Sequence, residues 1–313
     1  MPGIVRSQIT PEQANQLRST LGARIEALTI LGGDFGLSGG HFTSTESNAL
    51  TGVSSSTDLS VSKFGGAGDV GDPQQLGNLP VGWQPRIQGN MGYLDSTNRL
   101  RGPLLGGDVS KFHDFAIEFG GGVRFWVSDV LSFAPSFMGM YGRTSNDYVA
   151  NSVFARANLA LAQQTGLIDW RVDTWSVRPA LDIQYVIRWD RVIVTLASDP
   201  TFFHTESFNN SASGLRVRGD SGSWPNTIDI DVPLGMEIFG HEIRTGGYVS
   251  RTDLFGDLKA GLKVQRVNEL HTRLVLDFLN QLWKVQWLGV GASYLWGPNI
   301  SGWTAGVDLA WRF

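Results

Sequence analysis

The sequence predicts an all-β membrane protein: a 12-stranded antiparallel transmembrane β-barrel with an N-terminal α-helix in or near its lumen. Three observations carry the prediction. Segment after segment alternates large apolar with polar or charged residues, the period of a strand with two unlike faces. Charged residues make up only 17% of the 313 residues, against about 25% in an average domain. Aromatics are plentiful, with 11 Trp and 17 Phe, many near the ends of the alternating segments. Mean hydropathy is only -0.08, and no apolar run approaches the ~18–20 residues that a membrane helix needs. A crossing would therefore be made by strands.

Residues 1–9 (MPGIVRSQI) carry no apolar core of a signal peptide and read as an unstructured N-terminus. An exported chain would have lost its signal ahead of this start. Residues 10–29 then read as an amphipathic helix. Thr10 caps it, Pro11 suits its first position, and Gln13 completes a capping-box pattern. Ala14, Leu17, Leu21, Ile25 and Leu28 recur at helical spacing, with Arg18, Arg24 and Glu26 off that stripe.

From residue 30 to 313 the chain reads as one barrel. The expected strands are 33–44, 56–65, 83–97, 112–126, 130–146, 169–189, 191–207, 214–238, 241–262, 268–280, 283–296 and 301–313. In DFAIEFGGGVRFWV, Phe115, Ile117, Phe119, Val123 and Phe125 oppose Asp114, Glu118, Arg124 and Trp126. Between residues 170 and 189, Trp175, Val177, Leu181, Ile183, Tyr185 and Ile187 oppose Arg178, Asp182, Gln184 and Arg188. In IDIDVPLGMEI the even-numbered apolar residues oppose Asp229, Asp231 and Glu237, and in LHTRLVLDF Leu270, Leu274, Leu276 and Phe278 oppose His271, Arg273 and Asp277.

Alternation alone also fits a soluble sandwich with a charged outer face. Loop lengths discriminate. Tight connections at 128–129, 189–191, 240–241 and 280–283 are interleaved with the longer 98–111, 147–168 and 208–213, the asymmetry of an outer-membrane barrel with short periplasmic turns. The connection 66–82 is long where a short turn is expected, which means a longer strand or an irregular turn, and parity breaks near Trp287 and Leu288, which points to a bulge or a misplaced boundary. Trp126, Trp170, Trp189, Trp283, Trp296 and Trp311 are expected in interfacial girdles. The closing stretch GVDLAWRF would put Val307, Leu309, Trp311 and Phe313 toward lipid, and Asp308 and Arg312 inward.

A last strand that alternates and ends in Phe resembles the terminal signal of bacterial outer-membrane proteins. Twelve strands preceded directly by one amphipathic helix resemble the autotransporter translocator domain, over residues 10–313. About nine residues precede the helix, so the resemblance points to the solitary, passenger-free relatives of that family. It implies location in the bacterial outer membrane, a helix threading the pore, and delivery by the barrel-assembly machinery through the strand ending in Phe313. Outer-membrane lipids and lipopolysaccharide are the implied surroundings. Some family members cleave their helix at an Asn-Asn pair. Here Asn15 lies between Ala14 and Gln16, which speaks against self-cleavage.

The charges expected to line the pore are Glu118, Arg124, Arg178, Asp182, Arg188, Asp229, Asp231, Glu237, Glu242, Arg244, Arg273, Asp277, Asp308 and Arg312. Two readings compete: a mutually paired network in a plugged lumen, or a selective pore. Mixed signs favour the first. A helix of nineteen or so residues would span ~28 Å, and Arg18, Arg24 and Glu26 would meet the wall charges. The alternative seats the helix in the periplasm at the barrel mouth.

The most enzyme-like stretch is FFHTESFNN. His204, Glu206 and Ser207 near a strand end suggest a rim hydrolase, a lipase or protease. On a regular strand, however, His204 and Ser207 face opposite sides. The Asp229/Asp231 pair resembles a protease acid pair, but no DxH partner motif occurs. The five His show no ligand spacing, Asp58, Asp69 and Asp72 form no calcium loop, and Cys is absent, so no metal and no cofactor are expected. A net charge of -4 gives no reason to expect nucleic acid. The reading is a non-enzymatic barrel with a plugged or narrow pore and a structural, scaffold or limited-transport role.

Overall fold

The computed structural model describes residues 36–48, 53–77, 80–101, 107–164, 168–211, 216–262, 264–282 and 285–311. The N-terminal tail, the expected helix at 10–29 with Asn15, Arg18, Arg24 and Glu26, and the terminal Arg312 and Phe313 lie outside them.

Twelve strands form one closed antiparallel ring. They are β1 (Gly36–Asn48), β2 (Val53–Asp69), β3 (Gly82–Arg101), β4 (Val109–Trp126), β5 (Leu131–Val149) and β6 (Trp170–Trp189). Next come β7, in two segments Val192–Ser198 and Thr201–Asn210, then β8 (Arg218–Ile238), β9 (His241–Gly256), β10 (Arg266–Leu282), β11 (Val285–Trp296) and β12 (Ile300–Trp311). Each pairs with its neighbour in sequence, and β1 pairs with β12 from Leu37 opposite Val307 to Ser44 opposite Ile300. That last pairing excludes a two-sheet sandwich and leaves no open edge.

Alternation decides which face is which. Outward positions carry exposed apolar groups, among them Leu37, Phe64, Ile117, Phe119, Phe137, Ile228, Val290 and Val307. Inward positions carry buried polar ones, such as Asp114, Glu118, Arg124, Ser176 and Thr304. A soluble protein cannot leave such a belt in water. A bilayer both accepts it and requires every strand to be paired.

Several expected boundaries move. β2 runs on to Asp69, and Gln74 and Gln75 pair back onto Trp83 and Gly82, so the long 66–82 connection is an irregular hairpin. The bulge near Trp287 is present, because Val285 faces Trp311 while Trp287 faces Ala310. Pro200 interrupts β7, and Asp199 N and Pro200 O bond to Pro225 O and Leu181 N. The expected strand 241–262 stops at Gly256, whose φ of +65° favours glycine and where a Cβ would stand 2.2 Å from the Asp220 carbonyl oxygen, and a short helix, α2 (Asp257–Leu262), follows. The loop 147–168 holds α1 (Val153–Gln164). Both helices lie at the end of the barrel opposite the turns at 127–130, 190–191 and 239–240. These are called below the loop end and the turn end. Two tryptophans are not girdle residues. Trp126 shares the inward face with Arg124, which lies 5.6 Å over its ring. Trp170 is buried against Phe112, Val172 and Val217.

Candidate functional site: the lumen

The inward face divides into two zones. In the turn half it is charged and the charges are paired across strands. Arg124 sends Nη2 to Asp182 Oδ2 at 2.9 Å and Nη1 to Ser132 Oγ and Gln184 Oε1, both at 3.0 Å, with its Nε 3.0 Å from Asp69 Oδ2. Arg86 lies between the same two carboxylates, 3.1 Å from Asp69 and 3.5 Å from Asp182. Two arginines and two aspartates thus close a square over β2, β3, β4 and β6. Deeper in, Arg178 pairs with buried Glu118, which also accepts from Asn90 Nδ2 at 3.1 Å.

The facing wall has its own chain of pairs. Arg273 grips Asp229 through both terminal nitrogens, at 2.6 and 2.8 Å. Its Nη2 also lies 3.7 Å from Asp231. Arg244 donates Nε to Asp231 at 2.5 Å and lies 3.4 Å from Glu242, which pairs with Arg191. Asp308 lies 3.5 Å from His271 Nε2. The inward placement of Glu118, Arg124, Arg178, Asp182, Asp229, Asp231, Arg244, Arg273 and Asp308 thus matches the alternation. Asp277 stands opposite Glu242 in the β9–β10 register. Arg188 and Glu237 are exposed at the turn end, where Arg188 bonds the Asp129 carbonyl at 3.1 Å. Arg86 and Asp69 belong to the network, yet sequence reasoning missed them. They sit beside the irregular 70–81 connection, where no alternation pointed to a face.

In the loop half the inward face mixes buried apolar side chains with buried polar ones such as Ser96, Asp114, Thr144 and Thr304. Phe42, Val61, Leu94, Ala116, Met140, Leu254, Val267, Leu295 and Ile300 come from β1–β5 and β9–β12 and form one buried cluster with Leu258 and Val264. Leu258 belongs to α2, which therefore folds over the inner face rather than away from it. Two bonds hold it to β8. Leu258 N donates to Ser221 Oγ at 3.0 Å, and Asp220 N donates to Asp257 Oδ2 at 2.9 Å.

At the loop end, buried Asp108 clips α1. It accepts from Asn151 N at 2.8 Å, Ser152 N at 2.7 Å, Ser152 Oγ at 2.9 Å and the Tyr148 hydroxyl at 3.0 Å, while Ser152 Oγ caps the helix by accepting from Ala155 N at 3.1 Å. Burial works against ionisation of Asp108, but the Ser152 bonds, with those from Asn151 and Tyr148, outweigh it and hold the carboxyl below its usual range.

The structure does not bring His204 and Ser207 together. His204 faces outward between Phe202 and Phe208, with Nδ1 2.7 Å from Asp220 and Nε2 3.5 Å from Glu206. Ser207 lies on the opposite parity, with Thr201, Phe203 and Thr205, and its Oγ accepts from Val217 N at 2.9 Å. Among the described residues both ring nitrogens of His204 meet carboxylates, and the hydroxyl needed for attack is elsewhere. Asp229 and Asp231 are likewise engaged by arginines.

The comparisons agree with the barrel fold. The barrel is similar to the transport unit of the autotransporter AIDA-I from Escherichia coli, at TM-score 0.55 and 9% identity, covering 94% of this chain and 99% of that one. It is also similar to the translocator domain of the autotransporter NalP from Neisseria meningitidis, at TM-score 0.50 and 12% identity, covering 98% and 100%. These identities speak for the fold alone. No curated protein matches the chain in sequence. Residues 75–305 match the family model described as the solitary outer membrane autotransporter beta-barrel domain. That match covers most of the chain: this protein belongs to the solitary autotransporter β-barrel family and resides in the bacterial outer membrane.

Proposed function

We propose that this barrel is non-enzymatic and holds its lumen shut, serving as a structural or scaffold element of the outer membrane with at most limited transport. The observation that carries this reading is the apolar cluster across the loop half, with Leu258 of α2 fully buried in it. Such an apolar constriction resists hydrated ions by dewetting, even with Asp114, Ser96 and Thr304 buried on the same face. The paired charges below it support the same reading, since arginines already held by carboxylates offer little to a passing solute. In this reading the turn end faces the periplasm and the loop end faces outward.

The segment 10–29 fits the charged half as a plug. Five carboxylates, Asp229, Asp231, Glu242, Asp277 and Asp308, lie on the β8–β12 side, against Arg191, Arg244 and Arg273, and the surplus would complement Arg18 and Arg24. The chain would reach its membrane through the barrel-assembly machinery, reading the strand that ends in Phe313. Planar-bilayer recording tests the plug. The full chain should conduct little. A chain starting at Gly32 should flicker more if the helix fills the charged half, and should behave identically if the helix lies outside.

A further inference from the structure

On the outer wall near the loop end, the lipid belt gives way to charge. β5 passes from Phe137 and Tyr141 to Arg143, and β6 passes from Trp175 to Asp173 and Arg171. Asp173 is the unusual member. It belongs to the outward face, yet its side chain is only 3% exposed. Three donors cover it: Arg143 Nε at 2.6 Å, the Tyr141 hydroxyl at 2.9 Å and Asn209 Nδ2 at 2.7 Å. Asn209 reaches it because β7 bulges. Asp173 faces Asn209 while Thr174 faces Ser207, so Phe208 is the extra residue. Phe208 is pushed outward, 60% exposed, with its ring 6.2 Å from Tyr141.

A carboxylate buried beside a lipid belt is costly unless it is fully paired, and bulges are built features rather than accidents. The ring closes through backbone bonds alone, so this cluster is not needed to close it. What it does is fix one guanidinium. Arg143 spends only Nε on Asp173, and its two terminal nitrogens stay available. Arg171 is exposed and makes no side-chain pair among the described residues. In register it lies diagonally beside Arg143, because Arg143 faces Asp173 and Ser145 faces Arg171. Diagonal neighbours are about 7–8 Å apart, a span that one phosphate bridges between two forks.

We propose that this edge of β5–β7 binds the phosphorylated sugar headgroup of an outer-leaflet glycolipid. Arg143 and Arg171 hold a phosphate, and Phe208, Tyr141 and Trp175 pack against the adjoining acyl chain. Asp173 is a positioning residue that acts through Arg143. The apolar groups directly below the arginines select a lipid-borne phosphate over a free one. The proposal rests on the outward orientation of the loop end given above. The conductance experiment reads the lumen and not this wall, so the two fail independently.

The test is native mass spectrometry of the full chain in neutral detergent. The probes are a bis-phosphorylated, multiply acylated glucosamine disaccharide, the same lipid with its phosphates removed, phosphatidylglycerol and inorganic phosphate. The expected result is a one-lipid adduct with the first probe, weakened at least tenfold in Arg143→Gln/Arg171→Gln and weakened in Asp173→Asn. Arg99→Gln, on a different sector of the wall, should leave it unchanged. If the double variant fails to show the heat-dependent gel shift of a folded barrel, Arg171→Gln alone decides, because that side chain supports no neighbour. Equal retention of the dephosphorylated lipid or of phosphatidylglycerol would overturn the proposal. So would full competition by inorganic phosphate, or an adduct indifferent to both arginines.

Discussion

Arg273 reaches Asp229 by lying flat across Gly246 of the intervening strand. A Cβ on Gly246 would stand 3.1 Å from Nη2 and 3.2 Å from Nε of that arginine, and the two residues face each other in the β9–β10 register. The absence of a side chain at one position is thus what lets β10 and β8 share a salt bridge over β9.

Two variants probe this relationship. Gly246→Leu should displace the guanidinium, and Asp229→Ala should leave it with Asp231 alone. Each should cost about 1–3 kcal/mol, below the 3–5 kcal/mol typical of fully buried pairs because the lumen is partly polar. Urea unfolding in lipid vesicles measures the loss. A Cβ on Gly246 would also stand 2.7 Å from the Ile230 carbonyl oxygen, so the double variant should cost little more than Gly246→Leu alone. Full additivity would show that the glycine does not serve the pair.

The outer belt makes a separate demand. Phe119 projects 71% exposed from β4. Phe119→Arg should destabilise the folded barrel by about 2–4 kcal/mol if that position lies near the bilayer midplane, again read by urea unfolding in vesicles. An unchanged midpoint would place Phe119 out of the hydrocarbon.

Asp108 gives the loop end a pH dependence. Its carboxyl titrates below the ordinary aspartate value in the folded protein. The stabilisation is therefore complete above the unfolded value of about 3.9 and is lost as pH falls through the lower folded value. Amide protection factors in α1, corrected for intrinsic exchange, should hold from pH 7 to about 5 and drop below about 4. Asp108→Asn should show reduced protection already at pH 7, and protection independent of acid in the wild type would contradict the clip.

His204→Ala should leave any esterase or peptidase activity of the purified barrel at its wild-type level, because no described hydroxyl stands within reach of that imidazole. Activity that disappears with His204 would reinstate the hydrolase reading.

The sequence made the barrel legible wherever a strand has one face in lipid and one in the lumen. Phe119 against Glu118, and Ile230 against Asp229, need nothing beyond a period of two. The same period set His204 and Ser207 on opposite faces, and its break at Trp287 located the bulge. It could not show α2. Leu254 and Leu258 keep strand parity, and only the positive φ of Gly256 ends the strand there. Nor could it show that Trp170 is buried while Trp189 stands in the open, because a tryptophan at a strand end reads alike in both settings. Its environment comes from Phe112 and Val217, distant in sequence. The Asp69–Arg86–Arg124–Asp182 square is likewise a property of four strands in register, which no single segment encodes.

If the apolar cluster under α2 closes the lumen, charge placed in that cluster must open it. Single-channel conductance of the intact chain, beside Leu258→Asp and Leu258→Asp/Val264→Asp, tests this closure most directly. Near-silent bilayers are expected for the intact chain, and frequent, larger openings as charge enters the cluster. A stable, high conductance from the intact chain, unaltered by either variant, would contradict it.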